Sequence, residues 1–235
     1  MKRLDGREND ELRPISIKRG FSEYAQGSTL ISVGKTKVLC VAMVEDGVPA
    51  FLRGSGKGWL TAEYSMLPYA TPNRSPREIE QKKGRSYEIQ RLIGRALRAV
   101  VDLSKIPEQT IWIDCDVLQA DGGTRCAAIT GSFISLLEVD HWLQEKKMVE
   151  GSIIKDFLAA VSTGLVGEEV LLDLSFQEDY QASVDMNVVM TAENKLVEVQ
   201  VSGEGFSFTR ELLDRLLNLA QKGIKQLIEE IKKQL

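Results

Sequence analysis

The sequence predicts an α/β (α+β) fold of two similar lobes, each a run of strands followed by helix. Three observations carry this reading. Apolar and polar residues alternate with a period of two in both halves of the chain, and longer segments with helical spacing follow them. A polar stretch ending in glycine, Glu145 to Ser152, separates the halves. At 235 residues, 43% hydrophobic and 27% charged, the chain can bury a full core without disulfides or a structural metal, and disorder is excluded. The expected division is residues 1–146 and 147–235.

In chain order, Ser28 to Val33 and Thr36 to Val44 are β-rich and flank Gly34-Lys35, a two-residue turn of the hairpin kind. Trp59 to Glu63 is a further short strand. The LRGSGKG run before it departs from a nucleoside-triphosphate loop, since Phe51 stands where Gly is required and Gly58 follows the lysine. Thr71 to Lys83, with Pro72 and Pro76, reads as a basic loop. Ser86 is the expected N-cap of an amphipathic helix, with Ile89, Leu92, Ile93, Ala96, Leu97 and Val100 on its apolar side. Ile111 to Gln119 alternates as a strand, and the turn Ala120 to Arg125 opens a helix that runs to about Glu145.

The second half is expected to begin with a helical turn near Ile153 to Phe157. Strands follow at Leu158 to Leu165, Val170 to Phe176, Val184 to Thr191 and Lys195 to Val201. The last helix shows its apolar stripe from Leu213 to Ile231, with Lys232 and Lys233 complementing its negative end.

Composition also excludes several functions. The longest apolar run, Val38 to Val44, is far short of the roughly 18 residues of a membrane span, so no membrane association is expected. The charged N-terminus lacks an export signal, which implies a cytoplasmic location. Cys40, Cys115 and Cys126 form no CxxC pair and read as reduced structural residues, and the lone His141 reads as a surface or helix-end residue.

The net charge of −4 conceals a basic segment. Residues 74–98 carry eight basic and three acidic side chains, a local +5 that leaves −9 on the rest of the chain. Such a patch on an acidic body suits a polyanion held in one groove, whereas the plainer alternative is a solvated helix face.

Two helix starts have the chemistry of anion sites: Gly84-Arg85, and Gly122-Gly123-Thr124-Arg125. Free N–H groups point outward there, glycine allows close approach, and Thr and Arg add a hydroxyl and a fork of donors. Ordinary loop chemistry is the alternative for either one alone. A third cluster, Glu178 to Asp185, sets Asp179 at the expected end of one strand and Asp185 at the start of the next. Neighbouring carboxylates bind a hard cation such as Mg²⁺ or share a proton, unless they are merely solvated turn residues.

The stretches DGR (Asp5 to Arg7), ELRP (Glu11 to Pro14), FLRGSGKGWLTAEYSMLP (Phe51 to Pro68), GRSYEIQRLIGRALRAVVD (Gly84 to Asp102), IWIDCDVLQADGGTR (Ile111 to Arg125), AAITG (Ala127 to Gly131), DFLAAVS (Asp156 to Ser162) and VDMNVVMT (Val184 to Thr191) closely resemble the bacterial RNase PH family. The resemblance runs from about residue 4 to 231. It implies an α/β sandwich of two βα lobes and a homo-hexameric ring, a trimer of dimers. It implies phosphate-dependent removal of nucleotides from RNA 3′ ends, chiefly of tRNA precursors, with release of nucleoside diphosphates and a reverse nucleotidyltransferase reaction. Inorganic phosphate is then a co-substrate, with ligands at Arg85, Gly123, Thr124 and Arg125. The catalytic pair falls on Asp179 and Asp185, which are also the candidate ligands of Mg²⁺. Arg74, Arg77 and Arg91 are the expected RNA contacts.

The chain departs from the family pattern at Cys126 and Ala128, where two hydroxyls are missing beside the anion site, and at Tyr69 and Gly47, where arginine is frequent. A non-catalytic RNA-binding ring subunit is the main rival reading, and such a subunit would be expected to have lost the acidic pair or the phosphate arginines. An enzyme using an anion pocket on a small molecule is the other.

Overall fold

In the computed structural model, which describes residues 3–77, 84–205 and 207–234, the strands gather into two sheets, one from each half of the chain. Strands β1 (Ile15–Arg19), β2 (Gly27–Val33), β3 (Thr36–Asp46), β4 (Trp59–Met66) and β5 (Gln109–Gln119) form the first, in the order β1-β2-β3-β5-β4. The β2–β3 hairpin closes with Val33 opposite Thr36, and Gly34 takes the left-handed conformation (φ 57°) that the tight turn demands. Ile31, Val38, Cys40, Ala42, Ile113, Cys115 and Val117 are all buried, which is the alternation read from the sequence.

Only β4 runs parallel to its neighbour β5, and the crossover between them is helix α1 (Gly84–Ala99). Its apolar stripe is buried as expected. The described part of the helix begins at Gly84, so Ser86, buried at 6% exposure, lies inside the helix rather than at its cap.

The second sheet, in the order β7-β6-β8-β9, is wholly antiparallel: β6 (Leu158–Val166), β7 (Glu169–Leu172), β8 (Val184–Thr191) and β9 (Leu196–Gly203). Helix α2 (Thr124–Glu145) lies between the sheets, packed on β2 and β3 on one side and on β6 and β8 on the other. Ala127, Ile129, Phe133, Ile134, Leu136 and Val139 are buried around its circumference, as a helix apolar on all sides requires. One hydrophobic core therefore runs through both halves.

Helix α4 (Arg210–Lys233) covers the second sheet with Leu216, Ala220, Ile224, Leu227 and Ile228. Its N-cap is Thr209, whose hydroxyl accepts from the Leu212 N–H at 3.2 Å. Thr209→Ala will lower stability by about 1 kcal/mol, measured by urea unfolding, and leave the site untouched.

Two expected elements are different. Ile153 to Phe157 is irregular rather than helical, because the Asp140 carboxylate takes the Ile153 N–H at 2.8 Å and Ile154 forms a strand-like bridge to Val101. The strand expected over Val170 to Phe176 stops at Leu172, and a short helix α3 (Phe176–Gln181) follows. Asp173 turns the chain in the left-handed conformation (φ 52°), and Ser175 with Glu178 forms a capping box that starts the helix. The three cysteines are free and buried, and His141 pairs with Glu145 on the surface at 3.1 Å. Among the described residues, no helix is long and apolar enough to cross a membrane.

Candidate active site

The edge strand β4 and the N-termini of α1 and α2 meet beside α3 and β8. At the start of α2 the N-cap is Gly123, left-handed at φ 65°, preceded by Gly122 at φ 77°. A glycine cap has no side chain to satisfy the first N–H groups, so these face outward as donors for an anion. Steric limits are as firm as the torsional ones. A Cβ at Gly122 would fall 2.5 Å from the Leu174 carbonyl oxygen, and one at Gly123 would fall 2.9 Å from an Arg13 nitrogen.

Thr124 and Arg125 are held by neighbours. The Tyr64 hydroxyl, at the end of β4, donates to Thr124 Oγ1 at 3.0 Å. Burial pushes the Tyr64 phenol above its ordinary range, against the opposing pull of Thr124, Arg85 and Arg125, so it keeps its proton and leaves the Thr124 proton free to turn toward an anion. Arg125 Nη1 donates to Gln200 Oε1 on β9 at 3.0 Å, and Gln200 reaches Glu88 on α1 at 3.4 Å. Arg85 is exposed in the first turn of α1, and its charge, like that of Arg125, reaches both Tyr64 and Asp179.

The carboxylate pair is arranged differently from the sequence expectation. Asp179 stands on α3, not at a strand end, since Arg13 captures Asp173 and the capping box then turns the chain into helix. Asp185 is the second residue of β8, as expected, and accepts from the Ser202 hydroxyl at 2.7 Å. Asp179 lies at the open mouth of the site, yet enough protein surrounds its carboxyl to raise its pKa. Desolvation is the first cause and the charge of Asp185 the second, while Arg125, Arg85 and Arg13 act in the opposite direction. The two carboxylates thus repel one another within the field of both site arginines. A pair strained in this way, flanked by open solvent, fits Mg²⁺, which uses one or two carboxylates and retains several waters. Among the described residues, no group of three or more His, Cys, Asp or Glu forms a larger metal cluster.

Of the departures noted above, Cys126 donates to Asn187 Oδ1 at 3.3 Å and Ala128 is buried in the core. Burial is the main reason that the Cys126 thiol rises to about 12, which keeps it an unreactive SH group. Gly47 has φ 98°, a conformation that arginine would adopt only under strain, and Tyr69 is exposed.

The expected RNA contacts Arg74, Arg77 and Arg91 are exposed, the first two in the irregular segment 71–77 and the third on α1. Glu78, Glu80, Lys82 and Lys83 lie outside the described residues. The rest of the basic patch is partly engaged within the chain. Arg95 pairs with Glu198 at 2.9 Å, and Arg98 lies 4.6 Å over the Trp59 ring while donating to the Leu60 carbonyl.

The residues that the sequence reading left without a role are Arg3, Arg7, Arg13, Thr36 and Tyr64. All are buried, polar and directed at the site elements. For Arg7 and Arg13 the available signal was the DGR and ELRP stretches themselves, while Arg3, Thr36 and Tyr64 left none.

A two-lobed α/β sandwich that presents two arginine-bearing helix starts to a carboxylate pair has the features of a phosphate-using enzyme of polyanions. The sequence matches the 3′ exoribonuclease family, domain 1 over residues 11–140 and domain 2 over residues 156–223, and the chain belongs to that family, in its RNase PH branch. Ribonuclease PH of Moorella thermoacetica is 58% identical over 230 residues, covering 97% of this chain and 92% of its own length. Ribonuclease PH of Bacillus pumilus is 56% identical over 233 residues, covering 98% and 96%. Among solved structures, a chain of the Archaeoglobus fulgidus exosome with RNA bound to the active site matches with a TM-score of 0.83 at 24% identity, covering 97% of this chain and 92% of that one. Rice Rrp46 matches with a TM-score of 0.80 at 19% identity, over 98% of each chain. These two share the fold.

Proposed function

We propose that this chain, a phosphorolytic 3′→5′ exoribonuclease, holds inorganic phosphate with Arg85, the Gly123 backbone, Thr124 and Arg125, and uses Asp179 and Asp185 on the departing 3′ end. The observation that carries this reading is the convergence of both arginine-bearing helix starts on the carboxylate pair. Phosphate bound there is aligned by two guanidinium groups, the Thr124 hydroxyl and helix N–H groups. It attacks the terminal phosphodiester and releases a nucleoside 5′-diphosphate. Little covalent work falls to the protein, so positioning and charge stabilisation supply most of the acceleration. Mg²⁺ held by Asp179 and Asp185 would neutralise charge on the phosphates. With no cation bound, the raised pKa of Asp179 would instead suit it to hold a proton near the leaving 3′ oxygen.

Precursor tRNA is the proposed substrate, gripped outside the pocket by Arg74, Arg77 and Arg91. A hexameric ring of three dimers in the cytoplasm is the proposed working form, which would let several such patches grip one RNA together. The division at residues 146 and 147 assigns the phosphate turn to the first lobe and the acidic pair to the second.

A 3′-labelled tailed tRNA incubated with and without phosphate tests the reaction. Nucleoside diphosphates formed only with phosphate are expected, and monophosphates formed without it would overturn the reading. Light scattering tests the ring, and a fully active monomer on tRNA would remove it. For the RNA contacts, the double change Arg74→Ala, Arg77→Ala will weaken binding to all sequences alike. The slope of log affinity against log salt will fall by about 2, read from titrations at several ionic strengths.

A further inference from the structure

Residues 3–14, the described part of the segment before β1, have no helix or strand, yet they contain three of the most buried charged side chains among the described residues: Arg3, Arg7 and Arg13, at 6%, 9% and 4% exposure. Arg13 is the one that touches both halves of the site. Its Nε donates to Asp173 Oδ2 at 2.9 Å and its Nη2 to Oδ1 at 2.7 Å, a bidentate fork on the residue that turns the chain toward α3. The other face of the same guanidinium donates to the carbonyl oxygens of Asp121 and Gly122, in the turn that leads to the Gly123 cap.

Thr36 holds the same turn from its opposite side. Its buried hydroxyl accepts the Asp121 N–H at 2.9 Å and donates to the Gly122 carbonyl at 2.7 Å. Behind Arg13, Arg3 grips Glu178, the neighbour of Asp179, at 2.7 and 2.8 Å, and Arg7 donates to the Asp173 carbonyl at 3.1 Å. The turn also has no room to drift toward α3, as the clash at Gly122 Cβ establishes.

We propose that Arg13 and Thr36 are positioning residues for phosphorolysis, which fix the distance between the phosphate-binding turn and the acidic helix α3. The inference rests on the assignment of phosphate to that turn and of the acidic role to Asp179. The phosphate ligands are all retained when either residue changes, and those of the turn shift together with it, so the effect falls on their alignment with α3. Kinetically, kcat at saturating phosphate and RNA falls while the KM for phosphate moves little. Lysine at position 13 keeps the charge but has no planar fork to span a carboxylate and two carbonyls.

The test compares wild type with Arg13→Lys, Thr36→Val and Thr36→Ser, assayed well below each melting temperature, with Thr209→Ala as a control for lost stability alone. Arg13→Lys and Thr36→Val are expected to lose about ten- to a hundredfold in kcat, the scale of a misplacement near 1 Å, with phosphate KM changed less than about threefold. Thr36→Ser restores both hydrogen bonds and is expected to recover most of kcat. A wild-type kcat in Thr36→Val overturns the proposal, as does a raised phosphate KM with kcat intact. Should Arg13→Lys fail to fold, the Val and Ser pair at position 36 decides alone. Phosphate-independent cleavage by the wild-type chain would instead refute the functional reading, so the two failures are told apart.

Discussion

Asp185→Asn will lower turnover by about 10²–10⁴-fold while leaving RNA binding near the wild-type level, the range that a positioned acid–base group contributes. The amide keeps the shape of the carboxylate, and the Ser202 hydroxyl can still donate to its oxygen, so β8 and its pairing with β9 are not disturbed. Two things change together. The site loses a negative charge available to a divalent cation, and Asp179 loses the neighbour that helps to raise its pKa. Single-turnover assays with labelled RNA, paired with filter binding, separate the two quantities. Near-normal turnover would remove Asp185 from the chemistry, and lost RNA binding would make it a substrate contact instead.

Arg125→Ala will raise the phosphate concentration needed for half-maximal rate by about ten- to a hundredfold, since a charge-assisted hydrogen bond to an oxyanion contributes about 1.5–3 kcal/mol. The fold should tolerate the change, because the Arg125 side chain is only half-buried and its described hydrogen bond goes to Gln200 rather than into the core. Steady-state rates across a phosphate titration, with circular dichroism as the control, check it. An unchanged phosphate dependence would place the anion elsewhere.

The outcome for the sequence reading follows from what kind of signal each element leaves. Strands β3 and β5 were legible because one face is core and the other is not over most of their length, so alternation in the sequence is the burial pattern itself, and β2 and β8 show it over part of theirs. Helix α2 was legible by its glycine start and its length rather than by periodicity, since it is buried all round. What failed were short pieces governed by distant partners. Ile153 and Ile154 carry no local instruction against a helical turn, and Asp140 and Val101 supply it from elsewhere in the chain. Similarly, α3 arises where Asp173 meets an arginine 160 positions away in sequence.

At the candidate site, Arg85, Thr124, Arg125, Asp179 and Asp185 could be proposed from the sequence because each has a residue type and a neighbourhood suited to anion or metal chemistry. Tyr64 was not. In its strand it is one more inward-facing aromatic, and only the three-dimensional arrangement puts its hydroxyl on Thr124. Thr36 was hidden in the same way, as a small residue at the start of a hairpin strand.

Helix α2 carries the proposed phosphate turn at one end and fills the space between the sheets along the rest of its length. Sub-global opening events, by which flexible pieces of a protein exchange their amides, are therefore closed to this element: loosening it means separating the two sheets. The part of the proposed anion pocket that α2 supplies then shares its fate with the whole domain. Phosphate that prefers the native state over the unfolded chain will draw on that linkage, and each tenfold excess over its dissociation constant deepens the global well by about 1.4 kcal/mol. A co-substrate held in this position is also a folding ligand.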